Sequence, residues 1–215
     1  MGSFKLKLVE TNKQINDLIK SKLKPQARIV FGKVRGRITP KIRKLLTKAI
    51  LAQPEVESLR SGVLAAEFGL VDGGERIEQI VEWWALTVRV KMEVVDVAAG
   101  RISIKILIEG VRYDDGLAEP AAQFVTENGA ILPWLEWLLR FGDKAIVIGY
   151  DVSKNLTGAE SRTGKLVMRE GKGKTWGVPP EFAGTERNNF VTRAIEDMKP
   201  ELEALIKSEI NRAIK

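Results

Sequence analysis

The spacing of the apolar residues changes along this chain, and that change limits the fold class. Towards both ends, the apolar side chains recur every three or four residues, which is typical of amphipathic helices. In the middle, between residues 86 and 108, they recur every second residue, which is typical of strands with one buried face. The sequence therefore predicts an α+β protein: an antiparallel β-sheet of about four to five strands, flanked by N-terminal helices and a long C-terminal helix.

The N-terminal helical pattern contains two prolines. Its apolar stripe begins at Ile15, and Pro25 interrupts it before the steps of three and four resume. Thr39 stands directly before Pro40, which suits an N-cap followed by proline at the first helical position. We therefore predict separate helices, with an interruption at Pro25 and a break or kink at Pro40.

Two pairs of strands are predicted in the body of the chain. Residues 86–94 and 102–108 alternate apolar and polar side chains on either side of a short turn, which predicts a β-hairpin. Residues 145–152 form a nearly continuous apolar strand, and residues 166–168 are its predicted partner. These four segments supply most of the predicted sheet.

The last helix is predicted from a long apolar stripe. Gly184 and Thr185 are interpreted as its entrance, and the helical pattern opens at Glu186. Pro200 lies inside the pattern and is predicted to kink or restart the helix, because proline removes a backbone donor.

The absence of two residue types limits the chemistry of the chain. Its 215 residues include neither histidine nor cysteine. This absence excludes serine–histidine and cysteine–histidine catalysis, histidine-ligated metals and disulfides. We expect a protein that is not an enzyme and that has no cofactor or metal. A carboxylate-based hydrolase acting through Asp114, Asp115 or Glu119 is the remaining enzymatic alternative, although an acidic turn is the simpler interpretation.

The charge of the chain is unevenly distributed. Residues 1–50 hold fourteen Lys and Arg against two acidic residues, whereas the rest of the chain is mildly acidic. We interpret residues 1–53 as a basic helical arm and residues 54–215 as the α+β body. Contact with an acidic protein surface is favoured for the arm over sequence-independent DNA binding, which stays open as the alternative. The residues predicted to face a portal protein or DNA are Lys33, Arg35, Arg37, Lys41, Arg43, Lys44 and Lys48.

Residues 171–175, with the sequence GKGKT, are similar to the end of a phosphate-binding loop motif. That loop requires a glycine where this chain has Met168, and a helix should follow directly. The sequence after Trp176 contains Pro179 and Pro180, so it cannot begin a helix promptly. A solvated loop is the better prediction.

Some of the tryptophans do not lie on the main apolar faces of their predicted helices. Trp84 continues a helical apolar stripe and is predicted to lie in the core. Trp83, and one of Trp134 and Trp137, are displaced from such stripes, which suggests subunit contacts, although packing within the chain is slightly favoured.

Several segments resemble the virion neck proteins of tailed bacteriophages, especially the contractile-tailed ones. These proteins include head–tail connector and tail-completion components. The segments that carry the resemblance are SRTGKLVM (161–168), WGVPPEFAGT (176–185), NFVTRA (189–194), LEWLLRFG (135–142), and SLRSG with EFGL between residues 58 and 70.

The resemblance implies a structural virion protein made in the bacterial host cytoplasm. It would form a homo-oligomeric ring, a hexamer or a dodecamer, joining the portal or adaptor of the head to the tail terminator, sheath or tube. Packaged DNA in the lumen is a further expected contact, a membrane is not, and a tail-terminator ring is an alternative role. The residues predicted to face neighbouring subunits or partners are Trp83, Trp134, Trp137, Arg162, Pro179, Pro180, Phe182, Asn189 and Phe190.

Overall fold

The computed structural model describes residues 11–98, 101–110, 113–126, 129–142, 144–154, 163 and 165–214. Helices and strands are mixed, and a long helix lies towards each end of the chain, as predicted. The helices are α1 (Asn12–Leu51), α2 (Pro54–Ser61), α3 (Val63–Phe68), α4 (Gly73–Thr87), α5 (Tyr113–Leu117), α6 (Trp134–Arg140) and α7 (Phe190–Ile214). The strands are β1 (Arg89–Ala98), β2 (Arg101–Glu109), β3 (Phe124–Val125), β4 (Ile131–Leu132), β5 (Val147–Lys154) and β6 (Leu166–Trp176).

Helix α1 continues through both of its prolines, so the predicted interruption at Pro25 and the predicted break at Pro40 are wrong. Thr39 does not act as an N-cap, because its hydroxyl donates to the carbonyl of Arg35 at 2.8 Å. An interior proline costs about 3 kcal/mol of helix stability. Continuous packing on both sides of Pro40 offsets that loss. The buried side chains of α1 are Ala27, Phe31, Val34, Ile38, Ile42, Leu45, Leu46 and Ile50.

The strands form three separate antiparallel pairs in the described part of the chain. The predicted hairpin is confirmed as β1–β2, with Val90 opposite Ile108. The second predicted pair is confirmed as β5–β6, although β6 extends beyond its predicted end to Trp176. The short strands β3 and β4 form the third pair. Within the described residues, no single sheet of four to five strands joins these pairs, so that part of the prediction is wrong.

The pairing of β5 with β6 contains a large irregularity. Ile148 lies opposite Thr175, whereas Tyr150 lies opposite Glu170, so one residue of β5 faces four residues of β6. Gly149 and Gly173 have φ values of 83° and 74° there, in the left-handed region that glycine tolerates. The Gly/Lys segment predicted as a solvated loop is therefore a bulged part of β6. No helix follows it, as a phosphate-binding loop would require.

Helix α7 begins later than predicted. Residues Thr185 and Asn188 exchange backbone hydrogen bonds of 2.8 and 3.1 Å in a turn, and the helix starts at Phe190. It continues through Pro200, so the predicted restart is wrong. Buried Met198 precedes the proline and buried Glu209 follows it, so the packed face of the helix extends past this position.

Contacts between residues divide the chain into two compact units. Unit 1 comprises Met1–Lys41, Arg89–Glu109 and Ala204–Lys215, and unit 2 comprises Ile42–Val88 and Gly110–Glu203. Within their described residues, unit 1 holds the N-terminal part of α1, the β1–β2 hairpin and the C-terminal end of α7. Unit 2 holds α2 to α6, the other two strand pairs and the beginning of α7. The division into an arm and a body at residue 53 stays a prediction.

Candidate partner-binding surfaces

The nine residues predicted to face partners lie at very different depths. Arg162 lies outside the described residues. The side chains of Trp134, Pro179, Asn189 and Phe190 are buried within unit 2. Trp83, Trp137 and Phe182 are half-buried, and Pro180 is exposed. Among the eight described residues, Trp83, Trp137, Phe182 and Pro180 are the ones that present surface to a partner.

Asn189 is the N-cap of α7. Its Oδ1 accepts hydrogen bonds from the backbone amides of Val191 and Thr192, at 3.0 and 3.1 Å. The Thr192 hydroxyl in turn accepts a bond from the Asn189 amide at 2.8 Å. This reciprocal arrangement satisfies amides that have no partner within the helix. Asn189 therefore fixes where α7 begins.

The same side chain also joins α7 to three other parts of unit 2. Its Nδ2 donates to the carbonyl of Thr185 at 3.0 Å and to the carbonyl of Leu139, in α6, at 3.3 Å. The Tyr113 hydroxyl of α5 lies 3.2 Å from the amide group. Burial raises the pKa of Tyr113, so its hydroxyl keeps the proton that this contact uses. The side chain of Asn189 is completely buried, and its polar groups are used within the chain.

Trp134 is another buried anchor of unit 2. It is 1% exposed and is the largest of the fully buried side chains. Its indole Nε1 donates to the carbonyl of Ala121 at 3.0 Å, so the buried donor is satisfied. Trp134 thereby holds the first turn of α6 against the turn that contains Ala121.

Trp137 belongs to an aromatic cluster. The rings of Phe68, Trp137 and Trp176 meet edge to face, with centroids 5.7 to 6.1 Å apart. Trp176 also donates from Nε1 to the Glu67 carboxylate at 2.9 Å. Burial raises the pKa of Glu67, and the bond from Trp176 partly opposes that increase. These side chains line a cavity of about 280 Å³, which is otherwise mainly apolar.

Exposed apolar side chains concentrate on the strands. Strands make up about a fifth of the chain. Yet they hold seven of the thirteen large apolar side chains that are exposed in the described residues. Every strand pair contributes: Val95 and Leu107 in β1–β2, Val125 and Ile131 in β3–β4, and Ile148, Tyr150 and Met168 in β5–β6. Single exposed apolar residues are ordinary on a protein surface, so this concentration on the strands makes the three strand pairs candidates for contact with a partner.

Two of the basic residues assigned to the partner-facing arm bind a carboxylate of unit 1 instead. Lys41 Nζ lies 2.5 Å from the Glu209 carboxylate, and Arg37 Nε lies 3.4 Å from its other oxygen. Glu209 is only 3% exposed. The hydrogen bond from Lys41, together with the charge of Arg37, lowers the pKa of the Glu209 carboxyl. These cations attach α7 to α1.

Two more have partners within unit 2. Arg43 Nη2 donates to the carbonyl of Val88 at 3.2 Å, and Lys48 Nζ lies 3.9 Å from Glu201. The other three predicted residues, Lys33, Arg35 and Lys44, are exposed, and no ion pair involves them in the described part of the chain. Five further exposed cations of α1 were absent from the predicted site: Lys13, Lys20, Lys22, Lys24 and Arg28. The excess of Lys and Arg over acidic residues in the first fifty positions is the sequence signal that includes them.

The structure also places the carboxylates of the enzymatic alternative. Asp114 accepts a hydrogen bond from Arg140 at 2.6 Å, Asp115 is exposed and Glu119 is half-buried. Among the described residues, no three acidic side chains are grouped so that they could hold a metal ion. Nor does the described chain contain a helix that is long and apolar enough to cross a membrane.

We predict that Glu209→Gln destabilises the protein more at pH 7 than at acidic pH. A carboxyl whose pKa is lowered by folding stabilises the fold above its unfolded pKa of about 4.3, and that contribution disappears as the pH falls through the folded value. The urea unfolding midpoints of the wild type and the variant should therefore differ at pH 7 and converge near pH 3. Glu203→Gln, at an exposed position of α7, is the matched control and should change little at either pH. A constant difference between Glu209→Gln and the wild type across this range would contradict the prediction.

Comparison of the chain with models of known protein families, with curated proteins and with solved structures finds no match in any of the three.

Proposed function

We propose that this chain is a structural protein of a phage neck, which assembles as a homo-oligomeric ring between the portal or adaptor of the head and the tail. The resemblance of residues 135–142, 161–168, 176–185 and 189–194 to neck proteins supports the class. The observation that carries the assembly role is the set of three two-stranded sheets, each with exposed apolar side chains.

A two-stranded ribbon is marginally stable on its own in water. Its outer edges carry backbone donors and acceptors that can pair with another strand, and proteins normally cover or charge such edges. Here no third strand joins any pair in the described residues. If strand pairs of neighbouring copies joined edge to edge, they would form broader antiparallel sheets. Such sheets would have about the number of strands that the sequence predicts.

The β5–β6 ribbon is our proposed contact between copies. Ile148 is 78% exposed, Tyr150 is 42% exposed and Met168 is 40% exposed, so this ribbon offers the most exposed apolar side chain of the described chain. The exposed Pro180 and half-buried Phe182 follow the end of β6 in sequence. When one such contact repeats between identical copies and the rotation between them divides a full turn evenly, the copies close into a ring.

The role is non-enzymatic in this proposal. The absence of histidine and cysteine from the chain supports it, because the commonest nucleophile–base pairs are missing. The contact between Asp114 and Arg140 gives further support, since this carboxylate already has a partner within the chain. The partners proposed are the portal or adaptor on one side and the tail terminator, sheath or tube on the other.

The proposal predicts that Ile148→Glu abolishes neck assembly while leaving the isolated chain folded. The substitution places a charge on the ribbon where a neighbouring copy would pack. Every 1.4 kcal/mol lost from that contact weakens association about tenfold. A phage that lacks the gene should produce DNA-filled heads and complete tails that do not join. A wild-type copy supplied in trans should restore joining, and the Ile148→Glu copy should not, as scored by electron microscopy of lysates.

Val71→Glu is the matched control for this experiment. Val71 is 74% exposed, similar to Ile148, but it lies outside every strand. The control should restore joining, and both purified variants should unfold within about 0.5 kcal/mol of the wild type, as exposed substitutions usually do. Joined, infectious particles from the phage without the gene would reject the neck role. Equal rescue by both variants would reject the ribbon contact.

A further inference from the structure

We propose that the N-terminal part of α1 binds the phosphate backbone of duplex nucleic acid. The binding surface, here called the basic helix surface, consists of Lys13, Lys20, Lys22, Lys24, Arg28, Lys33 and Arg35. All seven side chains are exposed, and all lie in unit 1. The inference is independent of the ring, because it concerns a surface present on each single chain.

The cations of this surface lack compensating charge. In the described part of the chain, no ion pair involves any of the seven, whereas Arg37 and Lys41, further along α1, both bind Glu209. Asp17 is the one carboxylate between residues 12 and 36. At 1.5 Å per residue, the seven charges span about 33 Å of helix. Such a density of unpaired positive charge favours a polyanionic partner.

The positions on the helix allow several phosphates to be contacted together. Lys24, Arg28 and Arg35 are separated by four and seven residues, so they lie along one side of α1. Lys22 and Lys33 are eleven residues apart, which is close to three full turns, so they share another side. The first set lies beside the buried stripe that includes Phe31, and the second lies on the opposite side of the helix.

The composition of the surface favours a nucleic acid over an acidic protein. Five of the seven residues are lysines, which are depleted at the centre of protein–protein interfaces, where aromatic anchors usually provide most of the affinity. Phe31 is the one aromatic residue between positions 12 and 36, and it is 5% exposed. Phosphate contacts need no such anchor. The lack of an exposed ring also favours duplex over single-stranded nucleic acid, since single strands are held by stacking.

The test is binding of the full chain to a labelled 30-base-pair DNA of arbitrary sequence, followed by fluorescence anisotropy across a range of salt concentrations. The variant is Lys24→Gln/Arg28→Gln/Arg35→Gln. The matched control is Arg89→Gln/Arg187→Gln/Lys199→Gln, which removes the same number and kinds of exposed cations from β1, the turn before α7 and α7 itself, all outside the β5–β6 ribbon. Affinity should fall linearly with salt on logarithmic axes, and the variant should reduce that slope by about one per lost contact, or about three in all.

We expect the variant to bind at least tenfold more weakly near 100 mM salt, and the control to stay within about twofold, because only the first removes phosphate contacts. The pair Lys22→Gln/Lys33→Gln, on the other side of α1, should show a slope reduced by about two and serves as the second variant if the first loses helix content by circular dichroism. Absence of DNA binding at 50 mM salt would overturn the inference. Equal losses of DNA affinity in the variant and the control would also overturn it. Tighter binding to polyglutamate or to phosphatidylserine vesicles than to the duplex would do the same.

Discussion

Replacing Trp134 by alanine is expected to lower the free energy of unfolding by about 3–5 kcal/mol, the range for a fully buried aromatic side chain. The indole is 1% exposed, so its removal leaves a cavity in unit 2. It also removes the donor that satisfies the carbonyl of Ala121. Urea unfolding followed by circular dichroism measures the loss. Trp134→Phe, which keeps most of the packing but not the Nε1 donor, should recover more than half of it.

Trp83→Ala is the matched control, because Trp83 is only half-buried on α4 and makes no hydrogen bond through its side chain in the described structure. Its loss should be less than half that of Trp134→Ala. The two substitutions also separate the two roles that the sequence suggests for these tryptophans. If Trp134→Ala leaves the unfolding midpoint unchanged and instead weakens association between copies, its placement in the core is contradicted.

Asn189→Ala should be the second most damaging substitution, with an expected loss of about 2–4 kcal/mol. Removal of an N-cap costs about 1–2 kcal/mol. A buried group left without a partner costs a further ~1–3 kcal/mol, and here the carbonyl of Leu139 loses the donor that Asn189 provides, whereas the carbonyl of Thr185 keeps the Asn188 amide. Thermal and urea unfolding measure the loss. Asn189→Ser should recover about 1 kcal/mol, because its hydroxyl can still accept from the amides at the start of α7.

The neighbouring Asn188 provides the control for this position. It is exposed, and its hydrogen bonds use its own backbone: the Asn188 amide donates to the hydroxyl and the carbonyl of Thr185, and the Asn188 carbonyl accepts from the Thr185 amide. Asn188→Ala should therefore change the free energy of unfolding by no more than about 0.5 kcal/mol. Equal effects at the two positions would contradict the assignment of Asn189 as the cap and junction of α7.

Local periodicity was sufficient to predict much of the secondary structure. The alternation in residues 86–94 and 102–108 predicted the hairpin, because strand side chains alternate between two faces. The two prolines of α1 misled the prediction, since their local preference was outweighed by a buried stripe on both sides of Pro40. The separation of the strands into pairs could not be foreseen either, because strand order depends on contacts far apart in sequence.

It was harder to predict from the sequence which side chains have partners within the chain than to predict the helices and strands. Lys41 and Glu209 are separated by 168 positions, so no local pattern indicates that they form a pair. Arg37 and Lys41 consequently looked available to a partner. For Asn189, the local signal was present: an Asn before an apolar helical run, with Thr192 three residues later, is typical of a helix N-terminus. The resemblance to neck proteins drew that residue into the interface prediction instead.

Electron cryomicroscopy of the purified full chain tests the central claim most directly. We predict closed rings with rotational symmetry, in which the outer edge of the β5–β6 ribbon meets the neighbouring copy and Ile148 and Tyr150 are buried at that contact. Particles that remain monomers at every concentration examined would contradict the claim. So would rings whose interfaces leave both of these side chains in solvent.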